Sequence, residues 1–544
     1  MRAAPPGDSS TRLGRVALLA ASTVVILGAL VRLYRLDFDL PQVVEVDAFK
    51  FVGEAARMAR ERSFRPHDFQ YPGFYANQLA LIYRACGAET IYAQHTIARA
   101  ISASFGIAGI VLTWVLARLV TGPIGSLVAA ALAASSIVCV TSARMTAADS
   151  IVAFFVTGGL CCLVRRRVSL WRYLLAGVLA GLAAGSKYNG VVLLPFVLLT
   201  AAVDAVEMRT YVRPLAGALL AIVVAVAVFW ITTPWFITLV DDYWRRFVIE
   251  ARIQQYGQVG HVQLGYADYL ISATPTPEQP WLRTSIVYDV GPIALAAIMA
   301  GLALGLAGRG GWGVFLLSLF AVSYLVLISG PGRVKAVRFL MPILPALFVV
   351  TGWLVEFWLV RPLGRYRAWA GAAALVALVA MPAYQSVRHV LTFRQPSTNS
   401  LLRSWANENI PPGSKVFVSP FFTDDLAPLP LQFVTIPNVG ARLYRLPEGV
   451  GLSAERESIY SYELFEEMRA AGVEYIVMNS YFNDAFSRTS ENLRWFPRSV
   501  KGYSGFFFIG FHVYNPEPVF EVFGQSAGRP GPDIQVHRLI PNRM

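Results

Sequence analysis

Carboxylate side chains stand at the edges of two long apolar stretches of this sequence. Glu45 and Asp47 follow the first stretch, and Asp149 begins a later one in SARMTAADSIVAFF. A carboxylate at a membrane surface is suited to accept a proton from a hydroxyl or amine as a general base. Asp149 could cap a helix instead, or do both, because Asp oxygens accept hydrogen bonds from free amides at helix starts. We predict all three carboxylates as catalytic residues, with Asp47 as the main one.

Lysine and arginine side chains lie beside two further apolar stretches of the sequence. Lys187 interrupts the run GLAAGSKYNGVVLLP, and the segment GPGRVKAVRFLMPILP contains Arg333, Lys335 and Arg338. Lysine and arginine bind phosphate through charge-assisted hydrogen bonds. For the cations of GPGRVKAVRFLMPILP, the alternative is that they only extend from a helix end to water along apolar surface. We predict that the four cations bind a phosphate group.

The composition indicates that most of the surface faces lipid. The 544 residues are 55% hydrophobic and 15% charged, with a mean hydropathy of +0.50, whereas soluble domains carry about 25% charged residues. The formal net charge is +13, but the part from Ser397 onward has 13 basic and 15 acidic side chains. The excess positive charge therefore belongs to the apolar part, which favours membrane orientation and a lipid-linked phosphate over nucleic acid as its explanation.

The apolar runs predict a polytopic α-helical membrane protein with about eleven spans. The first run lacks a small-residue cleavage site before Arg32, so we interpret it as a retained span rather than a signal peptide. The fifth is short enough to be re-entrant. The predicted spans lie near residues 15–34, 96–118, 123–141, 149–165, 171–186, 189–207, 214–233, 290–308, 312–329, 339–360 and 367–384.

The arginines in alternate short loops predict a cytoplasmic N-terminus by the positive-inside rule. The loops 36–95 and 234–289 and the C-terminal part then lie outside. The turn with Arg333, Lys335 and Arg338 also lies outside, where cations are unusual, and this exception indicates a binding role. The same topology brings Asp47, Asp149, Lys187 and this basic turn to the outer face.

Two segments outside the spans have recognisable patterns. Ala48 to Arg62 alternates apolar and charged residues as in an amphipathic helix on the membrane interface, which would explain Lys50, Glu54 and Arg57 without catalysis. Residues 397–544 predict a soluble α/β domain, separate from the membrane domain 1–396. Its helix stops at Pro411-Pro412-Gly413 before a strand, and a second helix is predicted between Tyr460 and Ala471. The further strands are VEYIVMNS, PVFEVFG and IQVHRLI.

Taken in order, these motifs resemble the GT-C class of membrane glycosyltransferases, in particular the glycosyltransferase family 39-like group of protein O-mannosyltransferases and the lipid A aminoarabinose transferase. The resemblance rests on the first-loop aspartate, RPHDFQYPGFYANQLALIY, RMTAADSIVAFF, GLAAGSKYNGVVLLP and RFLMPILPAL. WANENIPPGSKVFV and GPDIQVHRL resemble the soluble C-terminal domain of many members. The resemblance implies a polyprenyl-phosphate sugar donor and a catalytic Asp47. We assign substrate binding to His67, Gln70, Tyr71, Tyr188 and Asn189.

One departure concerns the first-loop motif, which in the family is often Asp-Glu. Here Ala48 follows Asp47, so Glu45 is the nearest second carboxylate. Either Asp47 suffices, or Glu45 substitutes from two positions earlier, or the acceptor differs.

The sequence thus predicts an inverting glycosyltransferase at the outer face of a bacterial cytoplasmic membrane. Its acceptor would be a lipid, a glycan or a protein. No cofactor is required by the sequence, because fixed cations can neutralise one phosphate, although a divalent metal is compatible with it. The alternatives are a transporter or flippase for a lipid-linked sugar, and a non-catalytic membrane scaffold. Transporters usually have internal repeats and broken helices at mid-membrane, and no halves repeat here.

Overall fold

The computed structural model describes residues 8–40, 48–165, 169–256, 267–271, 285–329, 336–418, 426, 429–434, 468, 470–479, 519–522 and 534–538. Eighteen α-helices occur in these ranges. They are α1 (Asp8–Leu33), α2 (Ala48–Glu61), α3 (Phe74–Cys86), α4 (Ile91–Val120), α5 (Pro123–Ser135), α6 (Ile137–Arg144), α7 (Asp149–Leu163), α8 (Leu170–Ser186), α9 (Leu193–Met208), α10 (Val212–Thr232), α11 (Val240–Tyr256), α12 (Asp268–Ile271), α13 (Ile286–Val290), α14 (Pro292–Leu306), α15 (Gly311–Ser329), α16 (Leu344–Leu354), α17 (Arg367–Thr392) and α18 (Thr398–Asn409).

Shorter elements complete the chain path. The 3-10 helices are Tyr188–Val192, Val337–Leu340 and Arg361–Tyr366, and a π-helix covers Val355–Val360. The strands of the described part are β1 (Lys415–Val418), β2 (Gln432–Phe433), β3 (Tyr475–Asn479), β4 (Phe520–Val522) and β5 (Ile534–Arg538).

An apolar helix lies at each predicted span, but the helices differ in length. Among the described residues, five helical stretches are long and apolar enough to cross a membrane, or six if the bent pair α5 and α6 counts as one. One of the five, Leu344–Thr392, covers two predicted spans. The helices at four more predicted positions have apolar segments of only 10–17 residues, including α8. The protein is therefore a helical membrane protein, and the larger count of eleven spans stays a prediction.

The predicted span 123–141 is not one straight helix. α5 and α6 meet at Ser136 with a bend of 52°. The Ser136 hydroxyl accepts a hydrogen bond from the backbone amide of Cys139 and donates to the carboxylate of Asp289, which also accepts from the amide of Val138. The amides at the start of α6 are thus capped from within the protein. Because Asp289 is about 150 residues away in the chain, the run of apolar residues gave no sign of the break.

Small residues let α8 and α10 pack closely. A Cβ atom at Gly177 would lie 2.4 Å from the carbonyl oxygen of Ala221, and one at Gly181 would lie 2.6 Å from that of Ala225. Such close backbone approach is typical of helices that associate in lipid, where apolar side chains gain little by mutual burial. On α10, Leu219 and Val223 are exposed, as expected for a lipid-facing side.

The first loop folds as two helices against the rest of the protein. α2 has the predicted amphipathic pattern, but its residues Phe51, Val52 and Met58 are buried within the protein. The ring of Phe51 contacts those of Tyr71 and Tyr75 at 4.7 and 5.1 Å. The amide of Gly73, before α3, donates to the Thr233 hydroxyl at 3.1 Å. A Cβ at Gly73 would lie 2.7 Å from the carbonyl oxygen of Thr232, so glycine permits this close docking onto the end of α10.

Side-chain contacts join helix ends that the predicted alternating topology places on the same side of the membrane. At the end predicted to be cytoplasmic, Trp312 donates to the carbonyl of Leu163 at 3.2 Å, and Arg172 pairs with Asp204. At the opposite end, Lys187 pairs with Asp149. Which end faces the outside stays a prediction, since these contacts are compatible with both orientations.

The strands of the C-terminal part form a mixed sheet of order β2-β1-β3-β5-β4. β1 is parallel to β2 and β3, whereas β5 is antiparallel to β3 and β4. Alternate residues of the strands pack against α18, as the two-residue period of a half-buried strand requires. This core contains Leu402, Ala406, Ile410, Val416, Val418, Tyr475, Val477, Ile534 and Val536. Strands are present at the four stretches named from the sequence, and most of the helix predicted between residues 460 and 471 lies outside the described residues.

Candidate active site

An ion pair joins two of the predicted site residues. Lys187 Nζ lies 2.7 Å from Asp149 Oδ1, and the two side chains are only 15% and 6% exposed. Asp149 is the first residue of α7, and the helix is preceded by Ala148 without a side-chain cap. Asp149 is therefore not the N-cap that its position allowed. Its carboxylate instead faces a lysine from the junction of α8 and the 3-10 helix Tyr188–Val192, so the pair carries no net charge.

The RFLMPILP stretch reaches this ion pair. Lys187 Nζ lies 5.1 Å from the centre of the Phe339 ring, which belongs to the 3-10 helix Val337–Leu340. An ammonium close to the face of an aromatic ring is attracted by the ring's electron density. Arg338, a predicted phosphate ligand, is the residue before Phe339 and is half-buried. Lys187 thus lies beside Asp149, and Arg338 directly precedes Phe339, the aromatic neighbour of Lys187.

The residues after Lys187 make specific contacts with two other regions. Asn189 Nδ2 donates to the hydroxyl of Tyr324 at 2.7 Å, and Tyr324 is buried in α15. The Tyr188 hydroxyl donates to the carbonyl of Phe69 at 3.2 Å, within the RPHDFQY stretch. The KYN triplet therefore connects the ion pair to the loop of residues 36–95.

The three residues predicted from RPHDFQY have different surroundings. The His67 side chain is exposed, and its backbone amide donates to Glu54 at 2.7 Å. Gln70 accepts a hydrogen bond from Arg246 of α11 at 2.9 Å. Tyr71 is half-buried and packs on Phe51. Of the three, Tyr71 lies in the wall of a cleft.

This cleft lies between α2, the loop to α3 and the segment that joins α10 to α11. It is open to solvent on one side. Sequence reasoning missed most of its walls; the Pro-Trp pair that ends the α10 run was the available signal, because tryptophan is enriched at membrane interfaces. The lining residues are Lys50, Phe51, Glu54, Met58, Phe64, Pro66, Asp68, Tyr71, Pro72, Gly73, Ala76, Asn77, Thr233, Pro234, Trp235 and Tyr243.

A network of hydrogen bonds holds the polar side of the cleft. Glu54 pairs with Arg57 at 2.6 Å, and Arg57 also pairs with Glu61 and donates to the carbonyl of Arg65. Burial of Tyr243, helped by the negative charge of Glu54, raises the pKa of that phenol and keeps it protonated. The charged residues of α2 thus have structural contacts, as the amphipathic interpretation of the segment expected.

Four predicted site residues lie outside the described residues: Glu45, Asp47, Arg333 and Lys335. The described chain just before residue 41 is held by buried arginines. Arg99 donates to the carbonyls of Leu36 and Phe38 at 3.0 and 2.8 Å, and Arg144 donates to that of Val31 at 2.9 Å. Charge-assisted hydrogen bonds of this kind fix the end of α1. α2 begins at Ala48, directly after Asp47.

The described residues offer no group of three or more His, Cys, Asp or Glu side chains that could hold a metal ion. Asp149 already faces the ammonium of Lys187, so a divalent cation there would have to displace it. The surroundings of Asp149 thus fit a cationic side chain better than a metal.

Comparison with known proteins places this geometry in context. The family model for dolichyl-phosphate-mannose-protein mannosyltransferase matches residues 71–247, which include Asp149, Lys187 and most of the cleft. The crystal structure of ArnT from Cupriavidus metallidurans in the apo state is 16% identical, with a TM-score of 0.54 over 88% of this chain and 95% of that one. The chain has the fold of the GT-C membrane glycosyltransferases. The sequence-based resemblance to this class is therefore confirmed at the level of the fold.

Two further structures share the fold. ArnT from Cupriavidus metallidurans bound to undecaprenyl phosphate is 15% identical, with a TM-score of 0.50 over 87% of this chain and 95% of that one. The archaeal oligosaccharyltransferase AglB from Archaeoglobus fulgidus, in complex with an inhibitory peptide and a dolichol-phosphate, is 12% identical, with a TM-score of 0.55 over 86% and 70% of the two chains. No curated protein matches the chain by sequence.

Proposed function

We propose that the protein is a glycosyltransferase that moves a sugar from a polyprenyl-phosphate donor to an acceptor at the outer face of a bacterial cytoplasmic membrane. The observation that carries the proposal is the meeting of Asp149, Lys187 and Phe339 at one end of the helix bundle. Three separate motifs of the resemblance contribute these residues. The family model and the two structures that hold a polyprenyl or dolichol phosphate support the choice of donor.

In the proposed reaction the acceptor hydroxyl attacks the anomeric carbon of the donor sugar. A new carbon–oxygen bond forms while the bond from that carbon to the phosphate oxygen breaks, and its electron pair leaves with the phosphate. Asp47 takes the hydroxyl proton as general base. Lys187, Arg333, Lys335 and Arg338 stabilise the charge that grows on the leaving phosphate.

The test uses the full-length protein in lipid vesicles with a radiolabelled polyprenyl-phosphate sugar and a cell-envelope extract as acceptor. Release of polyprenyl phosphate together with labelled product is expected. Asp47→Asn should lower the rate about a hundred- to ten-thousandfold, the usual contribution of a general base. Asp37→Asn, an exposed carboxylate on the same loop whose described contact is with Tyr92, is the matched control and should leave the rate unchanged.

The outcomes separate the proposed function from its alternatives. Movement of the intact donor across the bilayer, without release of polyprenyl phosphate, would indicate a flippase. An equal rate for wild type and Asp47→Asn would contradict the proposed general base. Mass spectrometry of envelope glycans and lipids from a deletion strain would then identify the acceptor as the species that loses one sugar.

A further inference from the structure

The cleft beside α2 combines aromatic rings with fixed polar groups. Trp235, Tyr71 and Phe64 are each half-buried and present ring surface, while Glu54 and Asp68 supply carboxylates. A ligand that fits must therefore be apolar on one side and rich in hydrogen-bonding groups at its edges. A sugar ring has this form, because its C–H groups make an apolar face and its hydroxyls project from the rim.

The polar groups of the cleft are pre-positioned and retain hydrogen-bonding capacity. Asp68 Oδ1 accepts from the amide of Gln70 at 2.9 Å, and a carboxylate has about four acceptor sites in all. Asn77 Nδ2 donates to the carbonyl of Thr232 at 3.0 Å, but its Oδ1 is buried and has no hydrogen-bond partner among the described residues. A sugar hydroxyl can donate to the remaining acceptor sites of Asp68, which is only half-buried.

The position of the cleft favours the acceptor over the donor. α2 begins one residue after Asp47, and Lys50 and Glu54 lie within the first two turns of that helix. Lys187, a cation proposed for the donor phosphate, is not part of the described cleft wall, although the next residue, Tyr188, donates to the carbonyl of Phe69 beside it. An acceptor in the cleft would thus lie beside the first turns of α2, the helix that follows the proposed general base in the chain.

We propose that this cleft binds the sugar moiety of the acceptor, so that the acceptor is a glycan or a glycolipid rather than a peptide. The inference rests on the proposed transfer function for its biological meaning, although binding can be measured without it. The cleft is open on one side, so a larger glycan could place a single sugar ring against its wall. An extended peptide would need a long groove or a sheet edge, and no strand borders the cleft in the described part of the chain.

The experiment measures binding of three probes to the full-length protein in detergent by saturation-transfer NMR: maltose, cellobiose and a neutral serine-containing hexapeptide. At least one disaccharide is expected to bind and the peptide is not. Trp235→Ala should weaken disaccharide binding about three- to tenfold, the effect of losing an aromatic contact, and Asp68→Asn about tenfold. Trp235→Phe, which keeps a ring, should restore most of the binding.

The matched control is Trp244→Ala, since Trp244 lies on α11, is 63% exposed and is not part of the cleft wall. It should leave disaccharide binding unchanged, and melting curves should show all variants folded. Equal losses for Trp235→Ala and Trp244→Ala, binding of the peptide alone, or no disaccharide binding would overturn the proposal. The binding assay contains no donor, so its result does not depend on transfer. Disaccharide binding together with failure of the separate transfer assay would contradict the proposed function only, whereas transfer without disaccharide binding would contradict this inference only.

Discussion

Replacing Lys187 by methionine keeps the length of the side chain and removes the charge that faces Asp149. The structure predicts two separate effects. If the ammonium also contacts the donor phosphate, kcat/KM for the donor should fall roughly ten- to a hundredfold, since a charge-assisted hydrogen bond is worth about 1.5 to 3 kcal/mol. Stability should fall as well, because the Asp149 side chain is only 6% exposed and would be left as a buried, unpaired charge.

The size of the stability effect follows from burial. Removal of one partner from a buried ion pair costs about 3 to 5 kcal/mol, whereas replacing both partners by neutral groups of similar size costs little. The double variant Asp149→Asn/Lys187→Met should therefore melt closer to wild type than Lys187→Met alone. Donor turnover should not recover, because the double variant still lacks the ammonium. Apparent melting temperatures suffice, since unfolding in detergent is often irreversible.

The chain offers a matched control at the opposite end of the bundle. Arg172 and Asp204 form an ion pair with side chains only 7% and 3% exposed. Arg172→Met should lower the melting temperature, by less than Lys187→Met because Asp204 keeps the hydrogen bond from the Tyr173 hydroxyl, and should leave donor kcat/KM unchanged. The assay is release of polyprenyl phosphate at varied donor concentration. A folded Lys187→Met protein with wild-type kcat/KM would refute the phosphate assignment and leave the Asp149 pair a structural contact.

Three further predictions address other parts of the chain. Arg338→Ala should weaken donor use roughly ten- to a hundredfold and acceptor use far less, and Lys335→Ala should have a smaller effect. Titrations with donor and acceptor varied separately measure both quantities. A change in acceptor use alone would contradict the phosphate assignment. A reporter fused after Met544 should be active only outside the cytoplasm, and cytoplasmic activity would contradict the predicted topology. Gly181→Ala should destabilise the protein by about 1 to 3 kcal/mol through overpacking against α10, whereas Gly109→Ala, with open space around it, should not; equal melting temperatures would contradict the packing.

The fold was largely predictable because lipid imposes a strong pattern on the sequence. Long apolar runs must be helices in a bilayer, where every backbone amide needs an internal partner. The pattern could not reveal the break at Ser136, since its cap comes from Asp289. It also could not reveal which helices are short, because apolar residues at the end of a run have the same sequence pattern whether or not they belong to the helix.

The candidate site was predictable only as a set of residues at one end of the bundle. Topology placed Asp149 and Lys187 at the same face, but periodicity gives no distances, so their direct contact was not foreseen. Glu54 was attributed to an amphipathic helix, and its place in the cleft wall depends on Trp235 and Tyr243, which lie 181 and 189 residues further along the chain. Contacts of that kind are set by tertiary packing, which the sequence pattern does not encode.

The neutral charge of the Asp149–Lys187 pair has a consequence for the proposed chemistry. A polyprenyl-phosphate sugar is a phosphodiester with one negative charge, whereas the polyprenyl phosphate that leaves is a monoester with nearly two at neutral pH. A neutral pair attracts the donor only weakly, so ground-state binding would depend on the cations of the turn that contains Arg338. As the second charge develops, the ammonium of Lys187 gains more from the phosphate than it did before. An interaction that strengthens only in the transition state raises kcat rather than donor affinity. We therefore expect the loss in Lys187→Met to appear mainly in kcat, and the loss in Arg338→Ala to appear in KM as well.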